Sequence, residues 1–160
     1  MVKLDEKGCI ILNLLQKDCR MSLTNIAKEV GLSIDSVKKR IKKMIEGNIF
    51  FPKIQLRPRN FGFKNIVDIK IKLDNYSDYD IKRFINYLIK NQNVAEIFSV
   101  SGAWDFSIVV IAKDAIDLGR VTQSIRNEFN KIIAGWSESL TTCVYKFEVY
   151  DMLKLMGDKQ

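Results

Sequence analysis

The sequence predicts an α+β protein in which a small helical part precedes a larger part of alternating strands and helices. Three observations support this fold class. Apolar residues recur at helical spacing through residues 5–46. From residue 66 onward, short β-rich runs alternate with two helical patterns. Between the two parts, residues 57–65 contain Pro58 and Gly62, which predict a linker.

Three helices are predicted in the first part. Residues 5–16 place acidic side chains in the first turn, where they suit the positive end of the helix dipole. Ser22 is a favourable N-cap for a second helix, and Gly31 suits its end because glycine adopts a positive φ at little cost. Ser33 is placed to cap a third helix over residues 34–46.

The segment after these helices, IFFPKIQL at residues 49–56, predicts an edge strand. Pro52 has no N–H to donate to a ladder, so a central strand is excluded. We therefore expect a helical domain, a strand with a linker, a strand-and-helix domain and a C-terminal tail, over residues 1–48, 49–65, 66–150 and 151–160.

The second part has the order β-α-β-β-α-β. Its predicted strands and helices are residues 66–73, 78–90, 94–100, 106–112, 117–129 and 140–150. Two similar halves in this order predict a ferredoxin-like sheet with both helices on one face. The other face also carries apolar residues, so we expect a partner chain to cover it.

The composition argues against several kinds of active site. The chain has no histidine, which removes the commonest general base and the commonest transition-metal ligand. Cys9, Cys19 and Cys143 include no C-x-x-C pair and predict small buried residues in a reducing compartment. No apolar run has the pattern of a signal peptide or the length of a membrane span. We therefore expect a cytoplasmic protein that is not an enzyme and holds no metal or cofactor.

Positive charge is concentrated near the N-terminus. The net charge is +7, and residues 1–60 carry all of it, with thirteen basic and six acidic residues. Residues 61–160 carry thirteen of each. This asymmetry predicts a polyanion-binding part joined to a neutral one, the alternative being a solvated basic face with no partner.

The second and third helices have the spacing of a helix-turn-helix. Ala27 is small enough for two helices to cross closely, Gly31 follows where the turn needs a left-handed residue, and Val37 points into the core. Such a third helix fits the major groove of DNA, with its N-terminal residues nearest the bases. The candidates for contacts at or near the bases are Ser33, Asp35, Ser36 and Lys39; those for phosphates are Lys38, Lys42 and Lys43; Ser22 and Arg40 complete the DNA-binding set.

Each basic candidate also has a simpler interpretation. For the lysines it is a solvated helix surface. For Arg40 it is an ion pair within the chain, with Glu46 or with an acid of the first helix.

Four stretches in order carry a resemblance to a known family: residues 4–50, FGF, SVSGAWDFSIVV and AGWSESLTT. Over roughly residues 2–150 the chain resembles the Lrp/AsnC family of feast/famine regulators, named after the leucine-responsive regulatory protein. The resemblance implies an N-terminal DNA-binding domain and a C-terminal, RAM-type domain that dimerises and often binds amino acids. It also implies dimers that assemble into tetramers or octamers. Two recognition helices related by a two-fold axis would read an inverted repeat in double-stranded DNA.

The turn SGAWD, at residues 101–105, has two interpretations. Gly102 allows an unusual backbone conformation, and Asp105 can hold the turn by accepting backbone N–H groups. The resemblance implies instead an effector pocket between dimers, with Asp105 on the ammonium group of an amino acid. The effector candidates are Ser101, Gly102, Ala103, Trp104, Asp105, Thr141 and Thr142. Trp104 and Trp136 depart from the smaller residues usual in the family and are expected to narrow the pocket.

Two other functions share the second part. A ferredoxin-like domain that binds amino acids could control a partner enzyme without binding specific DNA, but the charge asymmetry and the turn at Gly31 favour DNA binding. An acylphosphatase-like enzyme would need an arginine-bearing phosphate loop that the sequence lacks. The sequence thus predicts a sequence-specific DNA-binding transcriptional regulator, modulated by an amino-acid effector through its oligomeric state.

Overall fold

The computed structural model describes residues 3–157, which form two compact units. One unit contains the residues up to Gln55 together with those from Tyr145 onward, and the other contains Leu56–Val144. The outermost residues of the predicted ranges 1–48 and 151–160, namely 1, 2 and 158–160, lie outside the described residues.

The first unit contains the three predicted helices, α1 (Glu6–Lys17), α2 (Leu23–Val30) and α3 (Ile34–Glu46). Their ends follow the capping chemistry of the sequence. The side chains of Asp5, Ser22 and Ser33 each accept a backbone N–H of the first turn. Gly31 has φ +62° and ψ +47°, the left-handed conformation that ends α2 and turns the chain toward α3.

One apolar core joins the three helices. Ile11 of α1, Ile26 of α2 and Val37 of α3 are completely buried. Ala27 and Met44 are buried beside them, so the small residue expected at the helix crossing and the inward face of α3 are confirmed. The same packing leaves the opposite side of α3 to solvent.

A C-terminal segment completes this unit. Its helix α6 (Met152–Gly157) packs against α1. The side-chain amide of Gln16 donates to the carbonyl of Tyr150 and accepts its N–H, both at 2.9 Å. The N–H of Met152 donates to Asn13 Oδ1 at 2.9 Å. The helical unit is therefore built from both ends of the chain.

The second unit is a four-stranded antiparallel sheet with two helices. The strands are β1 (Asn65–Leu73), β2 (Val94–Ser99), β3 (Phe106–Ala112) and β4 (Ile133–Leu140), in the spatial order β2-β3-β1-β4. Helix α4 (Asp78–Lys90) follows β1, and α5 (Ala115–Glu128) follows β3. A short 3₁₀ helix, Pro58–Phe61, lies within the predicted linker. The predicted ferredoxin-like order is confirmed.

The core of the sheet unit lies between the strands and the two helices. Alternate residues of β1 are buried, as its period-two pattern predicted, and Ile69 and Ile71 are completely covered. Phe84 of α4 fills the centre. Its ring meets Phe106 and Phe129 edge to face, at centroid distances of 5.5 and 5.0 Å.

Two predicted strands are wrong. Residues 49–56 have no strand, and Phe51, Ile54 and Leu56 of this segment are exposed. An edge strand needs a neighbouring strand to pair with, and the sheet formed by the described residues does not include this segment. The last strand is residues 133–140 rather than 140–150, because β1 pairs with Ile133–Leu140. The β-rich run that follows leaves the sheet as irregular chain.

Two smaller expectations also need correction. The sheet face away from the helices has a polar centre, where Lys70 Nζ lies 2.9 Å from Ser107 Oγ and 3.1 Å from Asp68 Oδ1. That face is therefore apolar only in part. Of the three free cysteines only Cys9 is buried, while Cys19 and Cys143 are exposed in irregular segments.

Candidate functional sites

The outer face of α3 is a basic surface. Lys38, Lys39, Lys42 and Lys43 are all exposed, because the buried positions of the helix fall on its opposite side. Lys42 Nζ lies 3.7 Å from Glu46 Oε1, so part of its charge is compensated within the helix. The other three lysines make no ion pair among residues 3–157 and offer their charge to solvent or to a polyanion.

The N-terminal end of α3 combines a cap with available hydrogen-bonding groups. Ser33 Oγ accepts the backbone N–H of Ser36 at 3.2 Å and lies 2.9 Å from Ser36 Oγ. Asp35 is exposed in the first turn. Ser22 caps α2 in the same way by accepting the N–H of Asn25 at 3.2 Å. The serine candidates thus have a structural role that is independent of any DNA contact.

Arg40 differs from the lysines around it. Its Nη1 lies 2.7 Å from Asp5 Oδ1, so the ion pair with an acid at the start of the first helix is present. The pKa of the Asp5 carboxyl lies below its usual value, chiefly because Asp5 accepts the backbone N–H of Gly8, with Arg40 adding to the effect. The alternative interpretation of Arg40 therefore describes this structure, and the predicted DNA contact stays a prediction.

In the second unit, the turn SGAWD is held at its end by Asp105. The carboxylate accepts the backbone N–H of Leu73 at 2.7 Å and pairs with Lys72 Nζ at 3.0 Å. The pKa of the Asp105 carboxyl is lowered, chiefly by the hydrogen bond from Leu73 and further by Lys72. Gly102 has φ +123°, a conformation that side chains disfavour. The turn-holding role of Asp105 is confirmed, while its effector role stays a prediction.

The indole of Trp104 lies against the backbone of β4. A Cβ added to Gly135 would lie 3.1 Å from Trp104 Cζ3 and 3.0 Å from Lys72 Cβ. Glycine at this position therefore makes room for the larger aromatic ring. Trp104 is half-buried, and Ser101, Gly102 and Ala103 are exposed beside it.

Thr141 and Thr142 lie away from this turn in a single chain. The N–H of Thr141 donates to Ile66 at the start of β1, whereas Asp105 is bound at Leu73 at the end of that strand. Seven residues of strand separate the two places by roughly 20 Å. Within one protomer, Thr141 and Thr142 are therefore not brought together with the other effector candidates. The backbone carbonyls of Thr141 and Thr142 instead accept hydrogen bonds from the guanidinium of Arg59.

A polar pocket beside Trp136 was missed by sequence reasoning. It has a volume of about 320 Å³ and is lined by Gln123, Arg126, Asn127, Asn130, Ile133, Ala134, Gly135 and Trp136. The guanidinium of Arg126 lies over the Trp136 ring, 5.9 Å from its centroid, and Trp136 Nε1 donates to Glu138 at 2.6 Å. Polar residues are common at the end of a helix, so nothing in the sequence indicated a pocket here. The pocket forms only because the fold places the end of α5 beside β4.

Across residues 3–157, no group of three or more Cys, Asp and Glu side chains could hold a metal ion. In the same range, no helix combines the length and the apolar character needed to cross a bilayer.

Models of two domain families match the chain, one in each unit. An AsnC-type helix-turn-helix domain matches residues 4–45, and the Lrp/AsnC ligand binding domain matches residues 66–144. The proline dehydrogenase transcriptional activator of Rhizobium radiobacter is 30% identical over 119 residues, which cover 74% of this chain and 76% of the activator.

Solved structures agree in fold. The crystal structure of an AsnC family transcriptional regulator from Agrobacterium tumefaciens has a TM-score of 0.83 and 25% identity, covering 96% of this chain and 99% of that one. A transcriptional regulator from Neisseria meningitidis, solved as a complex with L-Met, has a TM-score of 0.81 and 18% identity, covering 91% and 94%. The two domain matches and the relative from Rhizobium radiobacter show that this chain belongs to the Lrp/AsnC family of HTH-type transcriptional regulators, with a DNA-binding domain followed by a ligand-binding domain.

Proposed function

We propose that the protein binds an inverted repeat in double-stranded DNA as a homodimer, and that an amino acid modulates this binding by changing the assembly of the dimers. The family supplies the general activity, DNA-binding transcriptional regulation. The observation that carries the proposal is the set of lysines exposed on α3, directly after a capped helix-turn-helix turn. We propose a cytoplasmic location and no catalytic role.

The N-terminal half of α3 is proposed to enter the major groove. The candidates for base contacts are Ser36, which is half-buried, and Lys39, which is exposed. Ser33 and Asp35 lie beside them at the N-terminal end of the helix. Lys38 and Lys43 are proposed to pair with phosphates. Lys42 contributes less, because Glu46 already compensates part of its charge. The N–H groups at the start of α2, behind Ser22, suit a further phosphate.

The segment 49–56 supports the homodimer. Phe51, Ile54 and Leu56 are 64%, 75% and 64% exposed, which is unusual for three large apolar residues in one short run. A second copy of the same segment, paired across a two-fold axis, would cover them and supply the neighbour that an edge strand needs. The two α3 helices would then read half-sites one helical turn apart or a multiple of it, and dimers would assemble further into tetramers or octamers.

The effector is proposed to bind beside the turn at residues 101–105. Asp105 is proposed to hold the ammonium group, and backbone N–H groups of the turn or of a neighbouring subunit to hold the carboxylate. Trp104 takes up space beside Gly135 on this face of the sheet, which favours a small or medium apolar side chain. The L-Met bound to the Neisseria meningitidis regulator supports an amino acid as the class of ligand.

Selection of bound genomic DNA fragments, with and without a pool of the twenty amino acids, tests the proposal. Enrichment of fragments that share an inverted repeat supports it, and no enrichment over competitor DNA contradicts it. The effector is tested separately by calorimetry and by fluorescence, because Trp104 and Trp136 are the only tryptophans of the chain. If no amino acid gives heat or changes the fluorescence, the proposed amino-acid effector is contradicted, while the proposed DNA binding is unaffected.

A further inference from the structure

We propose that Arg40 is a positioning residue that fixes α3 to the N-terminus of α1, and that it does not itself bind a DNA phosphate. Its Nη1 lies 2.7 Å from Asp5 Oδ1, and the two residues are 35 positions apart in the sequence. The pair therefore joins the first helix to the helix that carries the exposed lysines. Arg40 is half-buried, whereas the four lysines of that helix are exposed.

Asp5 is a fixed anchor for this pair. The same oxygen, Oδ1, accepts the backbone N–H of Gly8 at 2.9 Å, because Asp5 is the N-cap of α1. A carboxylate that is held by its own helix has little freedom to follow the guanidinium. The position of Arg40 is thereby tied to the start of α1.

A second polar contact supports the same arrangement. Lys7 Nζ lies 3.3 Å from the carbonyl oxygen of Gly31, in the turn that leads into α3. The first turn of α1 thus contacts both the helix-turn-helix turn and the middle of α3. The apolar core, at Ile11 and Val37, holds the same helices from the other side. The orientation of α3, on which its fit to the groove depends, is fixed from two sides.

The charge of Arg40 also favours positioning over phosphate binding. Asp5 compensates that charge, so Arg40 adds little to the counterion release that drives DNA affinity. The two roles make opposite predictions for Asp5. If Arg40 bound a phosphate, Asp5 would compete with the DNA, and removal of its charge would strengthen binding. If Arg40 positions α3, the same change weakens binding.

A double-mutant cycle separates the two roles. Asp5→Asn, Arg40→Gln and the double variant are titrated with sheared genomic DNA over a range of salt concentrations. Asparagine is as good an N-cap as aspartate, so Asp5→Asn keeps the start of α1 and removes the charge. We expect each single variant to bind about two- to fivefold more weakly. The double variant should be no weaker than the worse single variant, and the slope of log affinity against log salt should not change.

Glu29→Gln is the matched control. Glu29 is exposed on α2 and forms no ion pair among the described residues, so this change removes the same charge without breaking a contact. It should leave binding equal or slightly stronger. Unchanged or tighter binding by Asp5→Asn overturns the proposal. So does a salt slope that falls by about 0.9 in Arg40→Gln, the value for one lost phosphate contact. Thermal unfolding of each variant is measured to check that the helical unit remains folded.

Discussion

The carboxylate of Asp105 and the backbone N–H of Leu73 are joined by a hydrogen bond of 2.7 Å, which ties the end of the turn SGAWD to the end of strand β1. Lys72 Nζ holds the other oxygen at 3.0 Å. Asp105 therefore has a structural role before any ligand arrives. An effect of its mutation on ligand binding has to be separated from an effect on stability.

Asp105→Ala and Asp105→Asn make that separation. Alanine removes the acceptor of the Leu73 N–H, so we expect a loss of about 1–3 kcal/mol in the free energy of unfolding. Asparagine keeps an oxygen for this N–H and loses only the half-exposed pair with Lys72, so we expect a loss below about 1 kcal/mol. Urea unfolding at neutral pH measures both. Equal losses in the two variants would show that the hydrogen bond to Leu73 is unimportant.

The same carboxyl predicts a pH dependence. The pKa of Asp105 is lowered in the folded protein, so its contribution to stability is present above the unfolded pKa of about 3.9 and is lost as the pH falls through the folded pKa. Asp105→Asn should therefore lose less stability than the wild type between about pH 5 and pH 2. The pKa values of Asp5 and Asp117 are lowered too, and these two carboxyls give the wild type and Asp105→Asn the same additional sensitivity to acid. Parallel unfolding curves over that range would contradict the assignment to Asp105.

Gly135 is predicted to be required by the ring of Trp104. Gly135→Ala places a methyl group about 3.0 Å from Lys72 Cβ and 3.1 Å from Trp104 Cζ3, and we expect a loss of about 1–3 kcal/mol. Gly119→Ala is the matched control, because it lies in helix α5 and a Cβ there meets nothing within 4 Å. It should raise stability by about 0.5–1 kcal/mol. If thermal unfolding gives Gly135→Ala the same stability as Gly119→Ala, the backbone at residue 135 can shift away from the Trp104 ring.

The C-terminal segment is predicted to stabilise α1. Gln16→Ala removes both hydrogen bonds to Tyr150, and we expect a loss of about 1–2 kcal/mol in protection of the α1 amides. Gln55→Ala, at an exposed glutamine for which no side-chain hydrogen bond is seen among residues 3–157, should leave that protection unchanged. Hydrogen exchange of the α1 amides measures the difference. Equal protection in the two variants would mean that the C-terminal segment does not stabilise α1 through the hydrogen bonds of Gln16.

Local chemistry was enough to predict the helical unit. Ser22, Gly31 and Ser33 mark helix ends by their own hydrogen bonds and backbone preferences, and they place both ends of α2 and the start of α3. The period of β1 was equally readable, because one face of that strand is buried throughout its length. In both cases the decisive interactions lie within a few residues or on one face of one element.

The errors fall where distant residues decide. The run at 140–150 has the β-branched and aromatic residues of a strand, yet β1 pairs with the less typical Ile133–Leu140. The ion pair of Arg40 with Asp5 joins positions that only the packed core brings together, so sequence could name it only as one of two alternatives. The pocket beside Trp136 depends in the same way on where α5 ends over β4.

We expect the exposed lysines of α3 to supply the affinity for DNA. The most direct test is the salt dependence of binding to sheared genomic DNA by a variant with Lys38, Lys42 and Lys43 replaced by alanine. A matched control replaces Lys82, Lys90 and Lys131, which are exposed in the sheet unit. Both variants lose the same charge, so a general electrostatic effect changes them equally.

We expect the α3 variant to bind all fragments more weakly and its slope of log affinity against log salt to fall by roughly 2–3, about 0.9 for each lost phosphate contact. The control should keep the slope of the wild type. An α3 variant with the wild-type slope and affinity, or a control that loses as much as the α3 variant, would contradict the claim that this helix is the DNA-binding surface.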